Sequence, residues 1–315
     1  PHLPRTFPLL TALISVLIPV VVIRDREVYE MAKTEPDNAV TFVDGQWHDG
    51  SPAVIKPRDH GFWLASNVFD GARSIIGRLP DLDLHCRRLI KSAEVMGMTP
   101  TFTAEEIASL AGEGVKKFPA GTELYICPMF YPDGGFIVPD SASTQFLMHI
   151  SISPLPAPDG FSACQTQFRR PAQEMAPTEA KASCLYPNVA RGLREANAKG
   201  FDTAVVLDPK GNVAEFSYTN LFMVKDGVIH TPEVNGTFLN GITRQRIIQL
   251  LRQGGHEVLE RIITYEELLD ADELFGTGNY AKILPCTRIE VLELQPGPIY
   301  TRARELYFEF ARDCG

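Results

Sequence analysis

The stretch from Thr203 to Pro232, "TAVVLDPKGNVAEFSYTNLFMVKDGVIHTP", constrains the fold most strongly. Short apolar runs alternate there with turn signals, first "PKGN" (209–212) and then Asp226-Gly227. Runs of this length joined by tight turns make antiparallel neighbours, so the segment reads as a β-meander. One carboxylate, Glu215, stands inside it between Ala214 and Phe216. Side chains alternate between the two faces of a strand, which leaves two readings. Glu215 points to solvent from a polar face, or it is buried against a permanent cation.

Other segments fall into order around this meander. "TFVDGQWHDG" is a hairpin turning at Asp44-Gly45, and 59–75 ("DHGFWLASNVFDGARSI"), rich in β-branched and aromatic residues, reads as strand. Leu82, Leu89, Ile90, Ala93 and Met96 share one helical face, and Thr103 with Glu106 forms a capping box for the next helix. "TELYICPMFY" and "TQFLMHISIS" are strands. "PLPAPDG" (154–160) has three prolines in seven residues and reads as a stiff connector. It divides a small α+β domain (residues 40–153) from a larger domain (161–315). In the larger part, 188–200 is a helix closed by Gly200, "TRQRIIQLLRQGG" is another, "TYEELLDADELF" is a short helix leading into a strand, and a last helix runs from about Thr301.

The chain of 315 residues carries a net charge of −9, which argues against nucleic acid as its main partner. Its six cysteines are scattered singly, without the pairing that zinc sites use, so free thiols in a reducing cytoplasm are expected and no metal site. Residues 1–30 hold a hydrophobic run, Leu9 to Ile23, flanked by Arg5 and Arg24. At fifteen residues, interrupted by Pro19, it falls short of the roughly 20 that span a bilayer as a helix. It reads as an extension outside the fold, a targeting segment or a structural arm.

A pyridoxal phosphate site needs a lysine, a carboxylate for the ring nitrogen and donors for the phosphate. Lys181 sits among small residues just before a helix. In "FLNGITRQR" the amides of Ile242 and Thr243 and the Thr243 hydroxyl open a helix, where an anion is favoured. "FGTGNYAK" adds a glycine-rich loop of backbone donors. Singly, each has a plain structural reading as a solvated charge, a cap or a turn.

As an ordered set, "AKASCLY", "GFDTAVVLDPKGNVAEFSYTNLFMVKDG", "TFLNGITRQR" and "FGTGNYAKILP" resemble the fold-type IV pyridoxal phosphate aminotransferases, from about Thr41 to Phe310. The resemblance implies an α/β (α+β) fold with a small α+β domain and a larger domain around a β-barrel-like core, the cofactor lying between them. It implies that Lys181 is the Schiff-base lysine and general acid/base. Arg88, Tyr186, Glu215, Asn220, Leu239, Ile242, Thr243 and Asn279 become expected cofactor contacts, with Tyr186 at the ring hydroxyl and Glu215 at the ring nitrogen. It also implies a homodimer or higher homo-oligomer.

"NVFDGARS" resembles the branched-chain enzymes, which implies that Leu64, Phe69, Gly71, Tyr125, Cys127 and Tyr280 meet the substrate. The sequence departs from that pattern where Cys127 replaces an arginine, Asn279 a threonine and Leu64 a tyrosine. A thiol cannot supply the bidentate carboxylate contact of a guanidinium, so a more apolar pocket is expected. The leading expectation is transfer of an amino group from a branched-chain or other hydrophobic L-amino acid to a 2-keto acid. An (R)-amine or D-amino acid transaminase and an aminodeoxychorismate lyase-like enzyme stand as alternatives on the same scaffold. A non-catalytic protein anchored by Leu9 to Ile23 is the alternative of another class.

Overall fold

Two β-sheets carry the chain in the computed structural model, which describes residues 38–314. The readings of residues 1–30 lie outside the described residues.

In the first sheet, β1 (Ala39–Val43) and β2 (Gln46–Asp49) make the expected hairpin. Asp44 and Gly45 take φ of 51° and 75°, the left-handed values that a two-residue turn of this kind requires. There follow α1 (His60–Trp63), β3 (Val68–Phe69), β4 (Ala72–Ser74), α2 (Leu82–Val95), α3 (Ala104–Val115), β5 (Leu124–Pro132) and β6 (Thr144–Ile152). The strand order is β2-β1-β6-β5-β3, with β4 also on β5, and every pair is antiparallel. Alternation along β5 and β6 turns Leu124, Ile126, Phe130, Phe146, Met148 and Ile150 toward Leu89 and Ala93 of α2 and Ile107 and Ala111 of α3. The opposite face of β5 presents Tyr125, Cys127 and Met129.

The single strand expected over 59–75 is corrected. Asp59 O accepts from Phe62 N (2.9 Å) and Trp63 N (3.1 Å), which winds α1, and Ala65 then breaks the chain with φ 53°. The aromatic residues that suggested a strand, Phe62 and Trp63, are exposed. Further on, the Asp70 side chain accepts from Gly71 N (2.7 Å), separating β3 from β4.

The second sheet contains β7 (Phe161–Arg169), β8 (Thr203–Leu207), β9 (Val213–Phe216), β10 (Asn220–Lys225), β11 (Val228–Pro232), β12 (Val258–Arg261), β13 (Glu273–Gly278), β14 (Lys282–Ile289) and β15 (Leu292–Glu293). Its order is β12-β11-β10-β13-β14-β7-β8-β9, with β15 on β14. Phe216 N donates to Thr219 O (3.0 Å), so β9 turns directly into β10 and the sheet curls until the two stand side by side. Leu221, Met223 and Leu274 fill the inside of the curl with Val205, Phe216 and Cys286. The alternate residues Phe222, Val224 and Phe275 face outward to helices α5 (Ile242–Gln253) and α7 (Pro298–Asp313). Both faces are therefore buried, which is why "NLFMV" is apolar without a break. Helix α4 (Tyr186–Ala198) ends where Gly200 adopts φ 81°, and α6 (Tyr265–Leu268) precedes β13. Among the described residues no helix is long and apolar enough to cross a membrane.

Helix α3 begins with the expected capping box: Thr103 Oγ1 accepts from Glu106 N (3.2 Å) and Glu106 Oε2 from Thr103 N (2.7 Å). Thr103→Ala is expected to lower stability by about 1 kcal/mol. The urea midpoint should fall at unchanged slope, and Thr103→Ser should restore it; an unchanged midpoint for the alanine variant would show that the cap is idle.

Candidate active site

A cavity of about 300 Å³ opens where β3 and β5 of the first sheet face β9, β10 and the start of α5. Lys181 lies on its wall because its backbone is tied to the first sheet. Phe69 N donates to Lys181 O (3.1 Å), Ser183 N donates to Asn67 O (3.0 Å), and Val68 bridges Ala182. Lys181 N donates to Ser92 Oγ of α2 (3.0 Å). Ala180 and Ala182 are wholly buried, so this anchoring needs small side chains on both sides of the lysine. The Lys181 Nζ donates to Tyr186 Oη (2.8 Å) and lies 4.7 Å from the centre of the Phe69 ring.

Glu215 faces Lys181 across the cavity. Strand β9 is buried along its whole length and Glu215 is only 4% exposed, so the solvent-facing reading is excluded. One carboxylate oxygen accepts from Arg170, and the other from Asn220 Nδ2 (3.2 Å). Burial raises the Glu215 pKa above its ordinary value, against the pull of Arg170 and Lys181. Asn220 also clamps the loop that enters α5: its Nδ2 donates to Leu239 O (3.0 Å), and its Oδ1 accepts from Gly241 N (3.1 Å). A Cβ at Gly241 would collide with that Oδ1, so the clamp requires glycine there. Gly241 provides no side-chain cap for α5, which leaves the first-turn amides, Ile242 and Thr243 among them, as uncapped donors at the cavity among the described residues.

On the first sheet, Arg88 is held in a two-pronged grip by Asp70: Nε to Oδ2 (2.7 Å) and Nη2 to Oδ1 (2.9 Å). His85 Nδ1 also lies 2.7 Å from Asp70 Oδ1. These partners hold the fully buried Asp70 carboxyl well below the usual carboxylate range despite burial. Asp70 thus fixes where the Arg88 guanidinium points. Gly71 makes room for Tyr125, since a Cβ there would overlap the phenol. The far wall is completed by Thr277, Gly278, Asn279 and Tyr280.

The cavity therefore brings together Lys181, Arg88, Tyr186, Glu215, Asn220, Leu239, Ile242, Thr243, Asn279, Phe69, Gly71, Tyr125 and Tyr280. It does not bring in Leu64 or Cys127. Leu64 follows α1 and is 39% exposed, away from the cavity wall. Cys127 shares a face of β5 with Tyr125 but is buried behind the wall opposite His149. Its thiol is pushed up to about 12 by burial, so it is neutral and offers no cation. Arg170, Asp70 and His85 had not been singled out from the sequence. Arg170 ends the strand run "QTQFRR", where a basic residue reads as an ordinary strand end; Asp70 and His85 lie within segments read as strand and helix.

One amine, one buried carboxylate and a set of anion donors converge here. The amine can carry a covalent or proton-transfer role, the carboxylate can stabilise a cation, and Arg88 with the start of α5 can hold a phosphate or carboxylate.

Residues 67–289 match the family model described as amino-transferase class IV. The branched-chain-amino-acid aminotransferase of Pseudomonas aeruginosa is 31% identical over 292 residues, covering 86% of this chain and 92% of that enzyme. An aminotransferase from Brucella abortus, crystallised with the cofactor PLP, superposes with a TM-score of 0.86 at 45% identity, covering 87% of this chain and 99% of that one. The Escherichia coli branched-chain amino acid aminotransferase gives a TM-score of 0.82 at 26% identity, covering 89% and 97%. With an anion cradle, a lysine and a buried carboxylate around one cavity, and a match over most of its length, the chain belongs to the class IV aminotransferases.

Proposed function

We propose that this enzyme uses pyridoxal 5′-phosphate to move an amino group from a branched-chain or other hydrophobic L-amino acid to a 2-keto acid. The observation that carries the reading is the placement of Lys181 and Glu215 on one cavity with the uncapped start of α5. The site fits the cofactor on its own chemistry. Asn279 Nδ2 is a buried donor without a partner among the described residues, the α5 amides are free, and Glu215 is a buried acid suited to a ring cation.

Bound, the cofactor supplies an electron sink for the charge left when the substrate Cα–H bond breaks. Lys181 is the residue to hold its aldehyde and, as a free amine, to take and return that proton. The Tyr186 hydroxyl orients Lys181 Nζ through their hydrogen bond. Glu215, kept in place by Arg170 and Asn220, would meet the ring nitrogen. Arg88, Ile242, Thr243 and Asn279 would hold the phosphate, with Leu239 bracing the ring-side loop through its carbonyl. Phe69, Gly71, Tyr125 and Tyr280 would form the substrate side. Leucine-like substrates are supported by the names of the relatives and by a neutral, buried Cys127 that adds no charge.

Residues 40–153 and 161–315 form the two proposed domains: the first sheet ends at Ile152 and the second begins at Phe161. The exposed Phe62, Trp63, Phe136, Ile137 and Val138 support a homodimer, and six unpaired cysteines support a reducing, cytoplasmic setting.

Lys181→Ala is expected to lower transamination by about 10³-fold or more and to remove the visible absorbance of lysine-bound cofactor. A yellow, active alanine variant would overturn the role of Lys181. Wild-type enzyme should lose that absorbance on addition of L-leucine but not of (R)-1-phenylethylamine or D-alanine; the reverse pattern would reassign the substrate. Gly71→Ala should displace Tyr125 and raise the KM for L-leucine about 10-fold or more, because the added methyl overlaps the phenol. An unchanged KM would remove Tyr125 from the substrate side.

A further inference from the structure

Lys282 opens β14 behind the cavity, with its backbone in the left-handed region at φ 63°. It is 1% exposed, and no carboxylate lies within ion-pairing distance of it among the described residues. Its Nζ donates to Asn279 Oδ1 at 2.6 Å. The other end of that amide, Asn279 Nδ2, is buried and without a partner among the described residues. Asn279 is part of the cavity wall, and this Nδ2 is 3.2 Å from where a Cβ on Gly71 would stand. An ammonium has only donors. It therefore accepts nothing from Nδ2 and admits one orientation of the amide.

We propose that Lys282 is a positioning residue that locks the Asn279 amide with its N–H pair turned into the cavity, making a side-chain donor for an anionic oxygen group of cofactor or substrate. This rests on the aminotransferase reading and deepens it. The anion is a phosphate or a carboxylate, two sources of one chemistry.

The surroundings make the lock sensitive to pH. Arg73 of β4, itself buried on Ser153, repels the ammonium. Asp81, before α2, and Asp70 favour it at longer range, though Asp81 is engaged by Arg246 and Asp70 by Arg88 and His85. The Tyr307 ring of α7 covers it, 5.6 Å away. Burial is the largest influence and brings the Lys282 pKa down to about 7. Above that pH the neutral amine gains a lone pair that can accept from Nδ2, so the amide can turn its oxygen to the cavity. Anion binding should therefore weaken as pH rises through about 7.

The test compares wild type, Lys282→Met, Asn279→Ala and the double variant. It measures the dissociation constant of pyridoxal phosphate for the apoenzyme by tryptophan fluorescence from pH 6 to 9, and the KM for the keto acid in the holoenzyme. Each single variant should lose about 10-fold in one of these, and the double variant no more than either single, because both remove the same donor. A loss in cofactor affinity assigns the donor to phosphate; a loss in KM alone assigns it to the substrate carboxylate. The wild-type constant should weaken with pH relative to Lys282→Met, in which the pH dependence of the phosphate and of Lys181 remains. Replacing a buried lysine by methionine retains an apolar core, and Asn279→Ala tests the donor without touching Lys282. Additive losses, or wild-type and Lys282→Met profiles that run parallel, would overturn the proposal. Failure of the aminotransferase reading itself would appear separately, as wild-type enzyme with no lysine-dependent absorbance.

Discussion

The site depends on how the segment around Lys181 is fastened. A lysine in a free loop would sweep a wide arc. Here its carbonyl accepts from Phe69 N, its neighbour Ala182 bridges Val68, and its own amide reaches Ser92 of α2. The segment that leads from β7 into α4 is thereby stitched to the first sheet, and the lysine stands at the seam. The same stitching brings Phe69, Gly71 and Tyr125 to one side of the amine and Glu215 with the α5 loop to the other. Backbone bonds carry this arrangement, so it depends on the small size of Ala180 and Ala182 more than on any charged pair.

Charge enters at a second level, through partners that aim the functional groups. Asp70 aims Arg88, and Arg170 and Asn220 hold Glu215. Each of these carboxylates is buried, and each is compensated by donors, as burial of a charge requires. Asn220 couples the acid to the anion cradle, because one amide contacts Glu215, Leu239 and Gly241. The buried acid and the uncapped start of α5 are thus parts of a single connected structure.

Much of this was legible in the sequence where a local rule governs. The Asp-Gly hairpins, the Thr103 box, the Gly200 terminus and the apolar faces of α2 and α5 follow from turn chemistry and periodicity, and they stand where expected. The ordered motifs also identified most of the cavity wall. What escaped is what only the folded chain decides. Segment 59–75 looked like a strand by composition, yet Asp59 wound it into a helical turn and Asp70 folded onto Gly71. Arg170 meets Glu215 across 45 residues, and Asp70 meets Arg88 across 18; no spacing rule announces such pairs. Leu64 and Cys127 do not line the cavity, because Leu64 follows the exposed turn of α1 and Cys127, although on the Tyr125 face of β5, is buried opposite His149.

The pairing of Arg170 with Glu215 has a consequence for the life cycle of the enzyme. A buried acid with no fixed partner would be left uncompensated whenever the cavity held no cation. Because the Arg170 guanidinium at the end of β7 already donates to Glu215, the acid keeps a cationic partner in the empty cavity. That part of the wall therefore does not depend on a ligand to offset its buried charge.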